Sequence, residues 1–137
     1  KVTKDADNIY FMVESDADIT ENDGSGNWMN IFMTAGEVRN TGWVCYDYVI
    51  NRSSENQTAI IEKLDADGNG TKVGLAKMSV QGKYMQLAIP RSAVGLQDGN
   101  TFYFKVADGV QHPEDIMDYY VTGRSLPMGR LSFKFVG

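Results

Sequence analysis

The sequence predicts an all-β fold, an antiparallel two-sheet sandwich of the jelly-roll or immunoglobulin-like kind with little helix. Two observations carry this. About eight short runs rich in β-branched and aromatic residues recur with Gly, Asn, Asp or Pro between them, and no stretch repeats its apolar residues at the helical period for a useful length. Many short strands at near-regular spacing make a sandwich or barrel. A third observation is the length of 137 residues, which suits one domain over 1–137 that buries about two-thirds of its unfolded surface.

The strands follow from their patterns, in order. Lys1 to Asp7 is polar, and Asn8–Glu14 (NIYFMVE) is the first clear strand, apolar enough to be covered on both faces. Ser15 to Asn27 is a long acidic loop. Asn27–Thr34 places Met29, Ile31 and Met33 on a core face and Trp28, Asn30, Phe32 and Thr34 on the other. Trp43–Arg52 is the densest aromatic and β-branched run, read as a central strand. Alternation puts Val44, Tyr46, Tyr48 and Ile50 in the core and Trp43, Cys45, Asp47, Val49 and Asn51 opposite. After a polar turn over Ser53–Gln57, Thr58–Leu64 and Val73–Val80 form a hairpin around Asp65-Ala66-Asp67-Gly68-Asn69-Gly70, residues that tolerate positive φ. Gln81-Gly82-Lys83 is a tight turn into Tyr84–Ile89, which Pro90 stops. Arg91–Leu96 holds at most one helical turn, ended by Gly95. Thr101–Ala107 sets Phe102 and Phe104 against Tyr103, Lys105 and Ala107. Asp108–Gly129 is loop, and Arg130–Val136 closes the sheet.

Composition bounds the function. A net charge of −5, with no cluster of Lys and Arg, argues against a nucleic-acid or anionic-membrane partner and favours a neutral ligand. No run approaches the roughly 18 apolar residues of a membrane helix. The single cysteine, Cys45, excludes an internal disulfide and reads as a small buried strand residue. No Ser/His/Asp order, zinc spacing or phosphate loop occurs, and neither Cys45 nor His112 carries a thiol-protease motif, so no enzyme activity is expected. The start at Lys1 suggests a module of a larger protein, which could carry a catalytic domain in the same chain.

Two oxygen-rich stretches suit a structural Ca²⁺. Asp65, Asp67 and Asn69 match the first half of an EF-hand loop, although Ala76 stands where its bidentate Glu belongs, and a plain hairpin turn is the stronger reading. Asp16 and Asp18 lie in the acidic loop, where hard cations find carboxylates. Triplets at Asn51, Asn56 and Asn69 match the glycosylation pattern at chance level. The more distinctive pattern is aromatic residues beside planar polar groups: Trp43 with Asn51 and Arg52, and Tyr119 and Tyr120 with Arg124. Sugars present flat C–H faces and rings of hydroxyls, which such pairs bind. The competing reading makes these aromatics core or cover residues.

The order of these pieces resembles the family 9 carbohydrate-binding modules and related DOMON-like sandwiches. The matching pieces are Asn8–Glu14, Trp28–Phe32, Gly42-Trp43 leading to Tyr46–Arg52, Met85–Arg91 with Ile89-Pro90-Arg91, Phe102–Asp108, Gly123, and Pro127–Arg130. The resemblance implies a β-sandwich that is often attached to secreted glycoside hydrolases and often holds calcium. A secreted, periplasmic or cell-surface site and an oligo- or polysaccharide partner follow as expectations. Some DOMON-like relatives bind haem. The seven Met residues here read as strand core, so no haem is expected. The alternative is a structural or protein-interaction sandwich without a sugar site. Arg130 is expected to pair with Asp47 or Asp118, and Arg124 to face a ligand. Far-ultraviolet circular dichroism is expected to show less than about a fifth helix, well under the usual third; more would refute the fold class.

Overall fold

The computed structural model describes residues 1–19, 29–36, 46–55, 58–109, 124–126 and 132–137. The described strands are β1 (Val2–Lys4), β2 (Asn8–Glu14), β3 (Asn30–Ala35), β4 (Tyr48–Glu55), β5 (Thr58–Leu64), β6 (Gly70–Gln81), β7 (Tyr84–Pro90), β8 (Thr101–Asp108), β9 (Arg124–Leu126) and β10 (Phe133–Val136). A 3-10 turn over Arg91–Val94 ends at Gly95, whose φ of 71° is the left-handed conformation that glycine adopts without strain. The all-β class is thus correct.

The ten strands form one antiparallel sheet in the order β1-β2-β7-β6-β5-β4-β3-β8-β10, with β9 sharing the outer edge of β8. Two separate sheets are not seen among the described residues. The sheet instead curls into a half-barrel and packs against itself. Phe11 of β2 meets Phe104 edge-on at 5.2 Å and Phe102 at 6.2 Å, although β8 lies six places away in the strand order. Phe135 of β10 stacks on Phe102 at 4.9 Å. Gly137, just past β10, lies against the Lys4 side chain of β1.

The concave face therefore holds the main core. Ile9, Phe11, Met85, Leu87 and Ile89 come from the β2–β7 side, and Ile31, Met33, Ile50, Ile61, Phe102 and Val106 from the other. Val94 and Leu96 of the turn before β8 join it. A smaller cluster, Phe32, Tyr46, Val49, Leu64 and Ala107, is buried on the opposite face of β3, β4, β5 and β8.

The expected faces of β3 and β8 are the observed ones. β4 differs. It begins at Tyr48 and extends through the expected turn at Ser53, and Val49, Ile50 and Asn51 are all buried. Alternation fails because Asn51 takes a φ of 71° and the register with β5 shifts between Ile50 and Ser54. Asn is among the few side chains that tolerate this conformation. Tyr46, which precedes β4, packs with Phe32 and Val49, opposite Ile50, so the phase also changes before the strand begins. β1 was not evident in the sequence, because three residues paired at an edge leave little pattern.

The two ends of the curl are tied by Arg91. Its guanidinium donates five hydrogen bonds, from Nε to Leu96 O, from Nη1 to Asp5 O and Ala6 O, and from Nη2 to Gly99 O and Asn100 Oδ1. Its backbone N–H donates to Asp7 O. The β1–β2 turn and the chain leading into β8 are thus fixed to one planar group. Arg91→Ala is expected to lower the unfolding free energy by about 2–3 kcal/mol, the range for hydrogen bonds to a charged group, with Arg91→Lys recovering only part. Urea unfolding checks this; a loss below about 0.5 kcal/mol, an ordinary surface effect, would refute it.

Candidate binding groove

The outward face of β1, β2, β7 and β6 carries a groove of about 400 Å³, within the range of small-ligand sites. Its residues arise from register. Thr3, Tyr10, Ala88 and Lys77 form one row across the four strands, and Met12, Gln86 and Ser79 form the next. Lys1 completes the second row, since its amine donates to Met12 O and its carbonyl accepts from Met12 N. Side chains alternate across a strand, so both rows point away from the core that Phe11 and Leu87 fill on the other face. Ala88 is the low point, with Tyr10 on one side and Lys77 on the other. Two strand spacings separate these flanking residues by about 10 Å, room for one sugar ring between them.

Tyr10 is held in place. Its hydroxyl donates to Asp5 Oδ2 at 2.6 Å, while Asp5 Oδ1 accepts the backbone N–H groups of Asp7 and Asn8 at 2.8 and 2.7 Å. The Tyr10 hydrogen bond, aided by those amides, keeps the Asp5 carboxyl below its ordinary pKa. The same bond raises the pKa of Tyr10. At the far end of the face Tyr84, 44% exposed, donates to Glu14 Oε1.

The expected sugar residues are placed differently. Trp43, Tyr119 and Tyr120 lie outside the described residues, and of Arg124 only the backbone, in β9, is described. Asn51 is only 4% exposed, and its Nδ2 donates to Met29 O at 3.0 Å, so its amide faces the interior. Arg52 grips Glu62 with Nε and Nη2 at 3.0 and 3.2 Å and donates from Nη1 to Gly68 O. The pair lies over Gly70, where any side chain would collide with it. These two residues are thus a core amide and a latch on the β5–β6 hairpin, and they are not brought together with the groove.

The acidic stretches are also separate. Asp16 and Asp18 belong to a segment that runs beside the β6–β7 turn, where Ser15 and Ile19 donate their backbone N–H groups to Lys83 O and Gly82 O. Asp65, Asp67 and Asn69 sit at the other end of β6, about 35 Å away by strand rise. There Asp65 Oδ1 accepts the N–H groups of Asp67 and Asn69, both at 2.9 Å, which lowers the Asp65 pKa and makes the segment a hairpin turn. Among the described residues no three His, Cys, Asp or Glu side chains gather as a metal site would require. Asp47 accepts the Thr34 hydroxyl at 2.6 Å; Arg130, expected to pair with Asp47 or Asp118, lies outside the described residues, as does Asp118.

Sequence reading missed Tyr10, Lys77, Ser79 and Gln86. Their only local signal is that they take the polar phase of ordinary strands. No protein-family model matches the chain, and no curated protein and no solved structure is significantly similar to it.

Arg52→Ala is expected to destabilise the fold by about 2 kcal/mol, because a mostly buried Glu62 carboxylate and the Gly68 carbonyl lose a bidentate partner. Thermal melts of Arg52→Ala and Arg52→Lys check it: both should fall, since a lysine cannot span the two acceptors. An unchanged melting temperature would show that the latch is dispensable.

Proposed function

We propose that this domain is a non-catalytic carbohydrate-binding module, similar in role and in sandwich-like layering to the family 9 modules that its sequence resembles. The observation that carries the reading is the Tyr10 groove. It offers a fixed aromatic face, a small-residue floor at Ala88, and the amide of Gln86 and hydroxyls of Thr3 and Ser79 as hydrogen-bonding groups. An aromatic platform with polar side chains at its margin is what a pyranose ring requires. In this reading the ligand is held by stacking and hydrogen bonds, with no bond made or broken.

Stacking one ring should contribute about 1–3 kcal/mol by buried area, which with a few hydrogen bonds gives affinities from micromolar to millimolar. A structural or interaction module is the second reading. It is favoured by Val73 and Leu75, which are 41% and 42% exposed on the outward phase of β6.

Titration of the domain with a panel of oligosaccharides, followed by amide chemical shifts, separates the two. Shifts centred on Tyr10, Gln86 and Ala88 that vanish in Tyr10→Ala support the sugar module. Absence of any shift up to about 30 mM, the weak end for one stacked ring, would favour the interaction module.

A further inference from the structure

Resting on the reading of the groove as a sugar site, we propose that its ligand is an acidic saccharide carrying uronate carboxylates. In a chain of net charge −5, the groove contains two lysines, Lys1 and Lys77, and no Asp or Glu. Both lysines are exposed, and neither takes part in an ion pair among the described residues. They stand on opposite flanks, Lys1 beside β2 in the Met12 row and Lys77 on β6 in the Ala88 row. Two carboxylates stand at the ends of the groove. Asp5 is occupied by the Tyr10 hydroxyl and two backbone amides, and Glu14, one row beyond Met12, accepts from Tyr84. Between them the charged side chains lining the groove are the two lysines.

A uronate fits that stretch better than a neutral hexose. Its ring offers Tyr10 the same C–H face, and its carboxylate can accept from an ammonium and from the Gln86 amide or Ser79 hydroxyl in one plane. A chain with one carboxylate per ring presents charge to both flanks at once, as the two lysines require. The ring stacking and the charge contacts then act on different parts of one ligand and can be removed separately.

The test is calorimetric and spectroscopic titration of the domain with three probes at low and at about 0.3 M salt, where exposed charges are screened within a few ångströms. The probes are tetragalacturonate, its carboxyl-reduced neutral counterpart, and a sulfated galactose tetramer. The uronate is expected to bind about tenfold tighter than the neutral chain at low salt and to lose most of that margin at high salt. Lys77→Gln is expected to weaken uronate binding about threefold to fivefold, the range for one exposed ion pair, while leaving the neutral chain unaffected. Lys63→Gln, the same charge change on exposed β5, should leave both unchanged. Tyr10→Ala should abolish both. Equal binding of uronate and neutral chain overturns the acidic-ligand proposal and leaves the sugar reading intact, as does preference for the sulfated chain. Uronate binding that ignores Lys77→Gln overturns the assignment to this groove. Failure of all three probes, with the fold intact by circular dichroism, overturns both readings.

Discussion

The contact on which the rest of the structure depends is the one Phe11 makes with Phe102 and Phe104. An antiparallel sheet with one apolar face must cover it, and no helix among the described residues does so. The curl solves this by setting β2 opposite β8, with Phe135 stacked behind. Each large side chain so buried contributes about 1.5–3 kcal/mol relative to exposure, and none of that gain exists if the sheet flattens. Strand twist alone bends a sheet; the irregularities at Asn51 and between Ile61 and Glu62 sharpen it in the middle, where the curl must turn furthest. A residue with positive φ in a central strand is therefore part of how the core closes.

Polar groups then fasten what the aromatics bring together. Arg91 holds the carbonyls of Asp5, Ala6 and Asp7, so the β1–β2 turn cannot drift from the chain that enters β8. The same turn presents the Asp5 carboxylate that fixes the Tyr10 hydroxyl. Closure of the core on one face and orientation of the aromatic platform on the other are thus linked through three residues of a single turn. The Tyr10 ring is thereby fixed by its own hydroxyl, and a side chain ordered in advance loses less entropy in any contact it makes.

Much of the fold was legible because much of it is regular. Asn8–Glu14, Thr58–Leu64, Tyr84–Pro90 and Thr101–Asp108 alternate or run apolar without interruption, and turn residues bound the β5–β6 and β6–β7 hairpins. The single curled sheet was not legible, since strand alternation reveals that a face is buried but not what buries it. β4 misled for a local reason. A run as aromatic as Trp43–Arg52 invites strict alternation, and the bulge at Asn51 breaks it. The groove was hidden for a global reason. Tyr10 and Lys77 are 67 positions apart in sequence and share a face only because β2 pairs with β7 and β7 with β6. Each of its residues is an unremarkable outward position within its own strand, whereas the densest aromatic runs drew attention elsewhere.

Net charge is a coarse guide for a related reason. A total of −5 describes the field far from the molecule, where all charges sum, but a ligand within a Debye length responds to the groups nearest it. Several acidic groups among the described residues are turned to internal use. Asp5 orders a turn, Asp65 shapes a hairpin, Asp47 receives Thr34, Glu62 holds Arg52, and Glu55 pairs with Lys72. Carboxylates engaged in this way have their charge partly met by the donors they accept from, and they sit where the backbone needs them. Lys77 has no such assignment. An acidic protein can therefore present a basic groove without contradiction, and the sign of a binding surface must be read from the side chains that share a face.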